Sequence, residues 1–296
     1  MHCPTFSKYF QGKPYNLLIT MLKLALEEDG IDFTSKGIFS STEQIHTQII
    51  AKEQTCVSGL PVIPIIMQLS SLTHNDYVLN ILVDEGQEVP INTPIAEIIG
   101  PAFTILQTER TILNFISHLS GITTTTKKYV NALKGSDIIL LDTRKTLPGL
   151  RYPDKYAVLC GGGMNHRCNL EELLLIKDNH IDKAGSLTNA VKSLRNTYNP
   201  CPPIEVECRN HSEVIEAVEC QVNRIMLDNM SIDTLCSSLM VIPKSIQVEV
   251  SGGITLNNLK NIVTSQYKPH YVSVGCITNS ASAADFSMRV IREKRV

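Results

Sequence analysis

Residues 142–180 constrain this chain more than any other stretch. They read DTRKTLPGLRYPDKYAVLCGGGMNHRCNLEELLLIKDNH. Two short apolar runs, Ile138–Leu141 and Leu173–Ile176, each end in a charged cluster, DTRK after the first and KDNH after the second. The first run has the length and flanking signals of a buried strand, although periodicity alone also admits a helix. Between the runs lie three glycines, Gly161–Gly163, followed by Asn165, His166 and Arg167. Charge delivered at the carboxyl ends of buried strands is how α/β proteins assemble their sites.

The rest of the chain falls into two styles. Residues 1–14 read as an irregular arm and residues 15–29 as an amphipathic helix, with Leu18, Met21, Leu22 and Ala25 on one face and Gly30 as its stop. From Thr42 to Gly100 the pattern is that of strands and turns: Ile45, Thr47, Ile49 and Ala51 alternate with polar residues. Within that region His46 and His74 have no partner motif and read as surface or packing residues. Thr104–Ser120 has helical spacing, and Gly121 reads as its end. After Gly121, candidate strands recur at Ile138–Leu141, Tyr156–Leu159, Leu173–Ile176, Ile204–Glu207, Arg224–Leu227, Gln247–Val250 and Tyr271–Val274. Helical stretches such as Ser186–Tyr198 and Ser212–Cys220 separate several of them. Such alternation implies a parallel sheet, and the short βα period after Ile204 suits a barrel.

Composition excludes some classes of function. A net charge of −2 over 296 residues gives no bulk attraction for nucleic acid, so any anion site must come from local clusters of Arg and Lys. The nine cysteines are scattered and never form CxxC, which argues for reduced thiols and against a zinc ribbon. Leu17–Leu26 is broken by Thr20 and Lys23 and is too short to span a bilayer. Neither a membrane segment nor an export signal is expected, and the location expected is cytoplasmic.

The 142–180 stretch resembles the quinolinate phosphoribosyltransferase family, the carboxylating enzymes that form nicotinate mononucleotide. The matching pieces are DTRKTLPGLR (142–151), KYAV (155–158), GGGMNHR (161–167) and LIKDNH (175–180). ERTILNFISHLSGI (109–122), EVEC (205–208), IMLDNM (225–230) and SGGI (251–254) flank it, all in family order. The resemblance implies an α/β fold: an incomplete α/β barrel of fewer than eight parallel strands, plus an α+β N-terminal domain with an antiparallel sheet. It sets the N-terminal domain at 1–113, rejoined by the tail 281–296, and the barrel at 114–280. The alternating Phe286, Met288 and Val290 of the tail would then return to the first domain, with a plain helix as the rival reading.

The implied reaction transfers phosphoribosyl from phosphoribosyl pyrophosphate to quinolinate with loss of carbon dioxide, a step of de novo NAD biosynthesis. Both substrates are polyanions, so the resemblance assigns binding to Arg110, Thr143, Arg144, Lys145, His166, Arg167 and Lys177. Glu207 and Asp228 end two apolar runs, IEVE and IMLD, at the same side. They are expected to stabilise oxocarbenium character, hold ribose hydroxyls, or carry magnesium bound to pyrophosphate. Lys145, Lys177, Glu207 and Asp228 form the expected catalytic set. Ser251, Gly252 and Gly253, with Val274, Gly275 and Cys276, lie in glycine-bearing turns after the last strands and are expected to cradle the 5′-phosphate. Cys276 and Asn279 depart from the family's usual Ala and His. A homodimer or dimer-based hexamer is implied, with Arg110 reaching the neighbouring site. The rivals are the molybdenum-associated paralogue, a nicotinate-type transferase without decarboxylation, and a non-catalytic binding protein on the same scaffold.

Overall fold

The structure, a computed structural model, describes residues 4–40, 42–70, 72–73 and 76–291. His74 lies outside them. The chain divides into two compact units. One comprises Met1–Lys127, Thr146–Gly162 and Ile277–Val296, and the other Lys128–Lys145 and Gly163–Cys276. The expected boundary is at 113/114, whereas the first division between the units falls at 127/128.

Along the chain the first unit opens with three helices, α1 (Phe6–Tyr9), α2 (Lys13–Asp29) and α3 (Phe33–Ile38). It continues with β1 (Gln44–Ala51), β2 (Thr55–Cys56), α4 (Val62–Leu69), β3 (Val78–Ile81), β4 (Glu88–Val89), β5 (Pro94–Pro101) and the long α5 (Ala102–Ala132). Next come β6 (Ile139–Leu141), α6 (Arg151–Cys160), β7 (Leu174–Ile176), α7 (Asp178–Ala184) and α8 (Leu187–Thr197). Then β8 (Ile204–Cys208), α9 (His211–Glu219), β9 (Arg224–Asp228), α10 (Ile232–Val241), β10 (Gln247–Ser251), α11 (Leu256–Thr264) and β11 (Tyr271–Ser273) alternate. The short α12 (Cys276–Asn279) and β12 (Phe286–Val290) end the described chain.

In the first unit β12-β1-β5-β3 form an antiparallel sheet. The tail is therefore a strand, with Ile49 opposite Met288, and its period-2 alternation has the meaning it normally has in a half-buried strand. Ile63, Ile66 and Met67 of α4 and Leu18 and Leu22 of α2 belong to the same buried core as Ile49, Ile95 and Ile98 of the sheet. Truncating Ile66 to Ala would cost about 2–5 kcal/mol. His46 lies at the surface of this sheet, 3.6 Å from Glu97, as the sequence suggested.

Two local expectations fail here. Gly121 does not end its helix; α5 runs on to Ala132. The glycine is needed for close approach, because a Cβ there would stand 2.1 Å from the Ser282 carbonyl oxygen. Tyr156–Leu159 is not a strand but part of α6, whose Pro153–Val158 are all buried. With six consecutive residues buried, Asp154 and Lys155 among them, the four-residue apolar window 156–159 could not be told from a strand. The thiol expectation holds for Cys56, Cys168, Cys201, Cys208, Cys220, Cys236 and Cys276, which form no disulfide, and fails at Cys160, which is disulfide-bonded. Scattered spacing carries no information about pairing.

The second unit is a six-stranded parallel sheet in the order β6-β11-β10-β9-β8-β7. Chain order is preserved cyclically, with β11 closing back onto β6, while β6 and β7 are not paired. The result is an incomplete α/β barrel. Polar caps start its helices on time: Ser186, Asn210, Ser231 and Thr255 accept the amides three residues on in α8, α9, α10 and α11. Each strand therefore ends facing the same side, where the chain turns toward a helix.

Candidate active site

At those strand ends lies a cavity of about 440 Å³. Thr143, Arg144 and Lys145 enter it after β6, His166 and Arg167 from the loop before β7, and Lys177 after β7. Glu207 of β8, Asp228 of β9, and Ser251, Gly252 and Gly253 around the end of β10 complete the expected lining. Eleven positions separated by more than a hundred residues thus face one space.

The cationic side is built by the chain itself. Asp142 is fully buried; its carboxylate accepts the His166 amide at 2.8 Å and the Asn165 side-chain amide at 2.7 Å. This ties the end of β6 to the loop of the triple glycine. The Arg167 guanidinium donates to the Leu173 carbonyl at 2.9 Å. Burial and the nearby Arg144 guanidinium lower its pKa, so the two like charges are close enough to feel one another. The Nε of Arg144 is buried and has no hydrogen-bond partner among the described residues. A buried, unmet guanidinium donor beside a second guanidinium is a place prepared for an anion.

The acidic side is at the ends of β8 and β9. Glu207 pairs with Lys177, so each partner's charge is locally balanced and the pair spans the cavity wall. Asp228 accepts the side-chain amide of Asn229 at 3.0 Å, and the Asn229 backbone amide donates to the Ser251 carbonyl at 3.0 Å. Asn229 holds φ +53°, a conformation that non-glycine residues rarely adopt. Its side chain lies against Gly252, where a Cβ would stand 2.5 Å from it. Asn229 thus locks the ends of β9 and β10 together and leaves the Gly252 backbone open to a ligand.

Four expected residues lie elsewhere. Val274, Gly275 and Cys276 are not among the residues lining the cavity. Val274 is buried with its amide donating to the Leu141 carbonyl at 3.0 Å. Gly275 lies under Lys145, where a Cβ would come within 3.0 Å of that side chain. Cys276 Sγ is 3.3 Å from the Tyr129 hydroxyl. Arg110 belongs to the first unit, exposed on α5.

Residues 32–120 match the N-terminal domain of the family described as Quinolinate phosphoribosyl transferase, and residues 122–289 match its C-terminal domain. The chain belongs to the quinolinate phosphoribosyltransferase family. Among relatives of this family, a Bacillus subtilis protein named probable nicotinate-nucleotide pyrophosphorylase (carboxylating) is 38% identical over 266 residues, 90% of each chain. A Synechocystis protein of the same name is 39% identical over 246 residues, 82% of each chain. The crystal structure of NadC from Streptococcus pyogenes superposes with a TM-score of 0.87 at 34% identity, covering 95% of this chain and 99% of that one.

Several lining residues were not anticipated. Glu249, Ser273, Asn229, Met226 and Leu175 also face the cavity. Glu249 and Ser251 are two apart in QVEVS, so one pleat face carries both; that signal was in the sequence. The same period places Glu205 on the face of Glu207 in IEVEC. Asn229 had no comparable signal, because its role depends on the backbone of β10.

Proposed function

We propose that this chain transfers the phosphoribosyl group of phosphoribosyl pyrophosphate to quinolinate and releases pyrophosphate, carbon dioxide and nicotinate mononucleotide. The observation that carries the reading is the convergence of Arg144, Lys145, Arg167 and Lys177 on one cavity with Glu207 and Asp228. Substrates bearing two carboxylates, a phosphate and a pyrophosphate call for several cations at once. A cationic centre developing at the ribose calls for carboxylates among them.

The roles follow from placement. Arg144 and Arg167 bind carboxylate or phosphate through planar N–H pairs. Lys145 and Lys177 supply compact charge to the leaving pyrophosphate and to the acceptor. Glu207 and Asp228 face the sugar. As the bond from C1 to the pyrophosphate oxygen breaks, the quinolinate nitrogen supplies the electron pair for the new C1–N bond. The resulting pyridinium draws in the electrons released when the C2 carboxylate departs as carbon dioxide, and a proton then fills C2. Positioning and electrostatics suffice, with no covalent nucleophile.

The hard oxygen donors of Glu207 and Asp228 fit magnesium accompanying the pyrophosphate. When bound, the ion would neutralise charge on the leaving group. The reading includes a cytoplasmic homodimer, or a hexamer built from it, in which the exposed Arg110 reaches a neighbouring cavity. Among the described residues no helix is long and apolar enough to cross a membrane. The test is a mass-spectrometric assay with phosphoribosyl pyrophosphate, magnesium, and quinolinate or nicotinate in parallel. Product from quinolinate alone supports the reading; product from nicotinate alone replaces it with the non-decarboxylating reaction.

A further inference from the structure

The proposed chemistry leaves a buried cluster at the inner wall of the cavity without a role. Glu205 of β8 and Glu249 of β10 are both fully buried, and His166 is nearly so. The His166 Nε2 stands 3.2 Å from Glu205 Oε2 and 3.5 Å from Glu249 Oε2. From β9, between those strands, Arg224 brings a guanidinium nitrogen to 3.9 Å from Glu205 and 3.6 Å from Glu249. Arg224 is itself fixed by stacking 4.4 Å over the Tyr271 ring and by two N–H bonds to the Gln247 side-chain oxygen. The Ser273 hydroxyl is alongside Glu249.

The other ring nitrogen faces the opposite way. His166 Nδ1 accepts the backbone N–H of Arg167 at 2.8 Å. A neutral imidazole carries one proton, and the partner of one nitrogen decides where it resides. A proton on Nδ1 would point at another N–H; a proton on Nε2 points at two carboxylates. Burial opposes a charged ring, but the two glutamates outweigh it and hold the His166 pKa above its ordinary value; the Arg167 amide, donating to Nδ1, stands against a second ring proton at pH 8.

We propose that Glu205 and Glu249 are positioning residues that hold His166 in its Nε2–H form, so that Nδ1 remains the acceptor anchoring Arg167 at the cavity. Arg224 balances the charge of the two carboxylates. The pair acts through the ring. The consequence for catalysis rests on the quinolinate reading; the state of the ring does not.

The test uses the full chain labelled with ¹⁵N-histidine at pH 8, with two-bond ¹H–¹⁵N correlations reporting which ring nitrogen bears the proton. The H166N variant identifies the signal. The wild type is expected to show the Nε2–H pattern. Glu205→Met removes the nearer acceptor at similar length. It should admit the Nδ1–H form, shift the Arg167 amide resonance, and raise KM for quinolinate about tenfold with kcat within about threefold. Glu205→Gln keeps an acceptor oxygen and should return ring and KM toward wild type. A wild-type ring that is doubly protonated or Nδ1–H overturns the proposal, as does Glu205→Met with wild-type ring signals and KM. Should that variant not fold, the wild-type ring and Glu249→Met decide the same question. A wild-type Nε2–H ring in a protein that turns over no quinolinate sinks the functional reading and leaves the ring assignment standing.

Discussion

Glu85 in the first unit and the Glu205–Glu249 pair in the second are carboxylates withdrawn from water, and the chain treats them in opposite ways. Glu85 accepts the backbone amides of Gly59 at 3.0 Å and Leu60 at 2.8 Å, and the Ser58 hydroxyl at 3.3 Å. Burial raises its pKa and those bonds work against the rise. Glu205 and Glu249 accept no backbone amide among the described hydrogen bonds; what faces them is side chains, the His166 ring, the Arg224 guanidinium and the Ser273 hydroxyl. A carboxylate saturated by backbone donors is a clamp that holds a turn. One left to face side chains, at the wall of a cavity, holds the ring and the guanidinium that face it.

That contrast can be broken by mutation. The largest effect should fall on residues inside the cavity: Lys145→Ala and Lys177→Ala are expected to lower kcat by about 100-fold or more, as removal of one electrostatic group does. Their circular dichroism and urea midpoints should stay near wild type; wild-type turnover would remove both from the mechanism. Glu85→Ala should do the reverse. It strands two backbone amides, so urea unfolding should show a loss of about 2–4 kcal/mol, with kcat/KM per folded molecule little changed. A stable Glu85→Ala protein with poor kcat/KM would erase the distinction drawn here.

A smaller effect concerns pH. Burial and Glu205 push the Glu249 carboxyl up to about 7, from an ordinary 4.5. Between those values the folded state keeps a proton that the unfolded chain has lost. Stability from this group is thus full at low pH and declines as pH rises through that window. Glu249→Gln should flatten the fall of the urea midpoint between about pH 5 and 7. Glu85 remains in both proteins and drops out of the comparison. An unchanged slope would show that Glu249 titrates as an ordinary carboxylate. Gly252→Ala, at φ +85° and with Asn229 only 2.5 Å from the new Cβ, should destabilise by more than about 1 kcal/mol and raise KM for phosphoribosyl pyrophosphate, as urea unfolding and steady-state kinetics would show.

Much of the fold was legible because strands here are bounded by charge. Residues 204–207, 224–227 and 247–250 lie within β8, β9 and β10, since an apolar run ending in Glu or Asp or Ser is a buried strand reaching an exposed rim. The misreadings share a cause. Gly121 and Tyr156–Leu159 are governed by what packs on them, the Ser282 backbone in one case and burial of most of a helix in the other, and neither leaves a local pattern. In the site, Arg144, Lys145, Lys177, Glu207 and Asp228 converge because each sits at or just after a strand end, and Arg167 joins them on the loop before β7. Val274–Cys276 do not, because β11 ends at Ser273 and it is Ser273 that lines the cavity. Glu205 and Glu249 were readable from period-2 spacing alone. Asp142 and Asn229 were not, since each works by tying together loops remote in sequence.

The most direct test of the central claim is a single turnover with quinolinate carrying ¹³C in its C2 carboxylate, phosphoribosyl pyrophosphate and magnesium. Unlabelled nicotinate mononucleotide with all the label in carbon dioxide is the predicted result. Label retained in a nucleotide product, or no nucleotide from a folded protein, would contradict it.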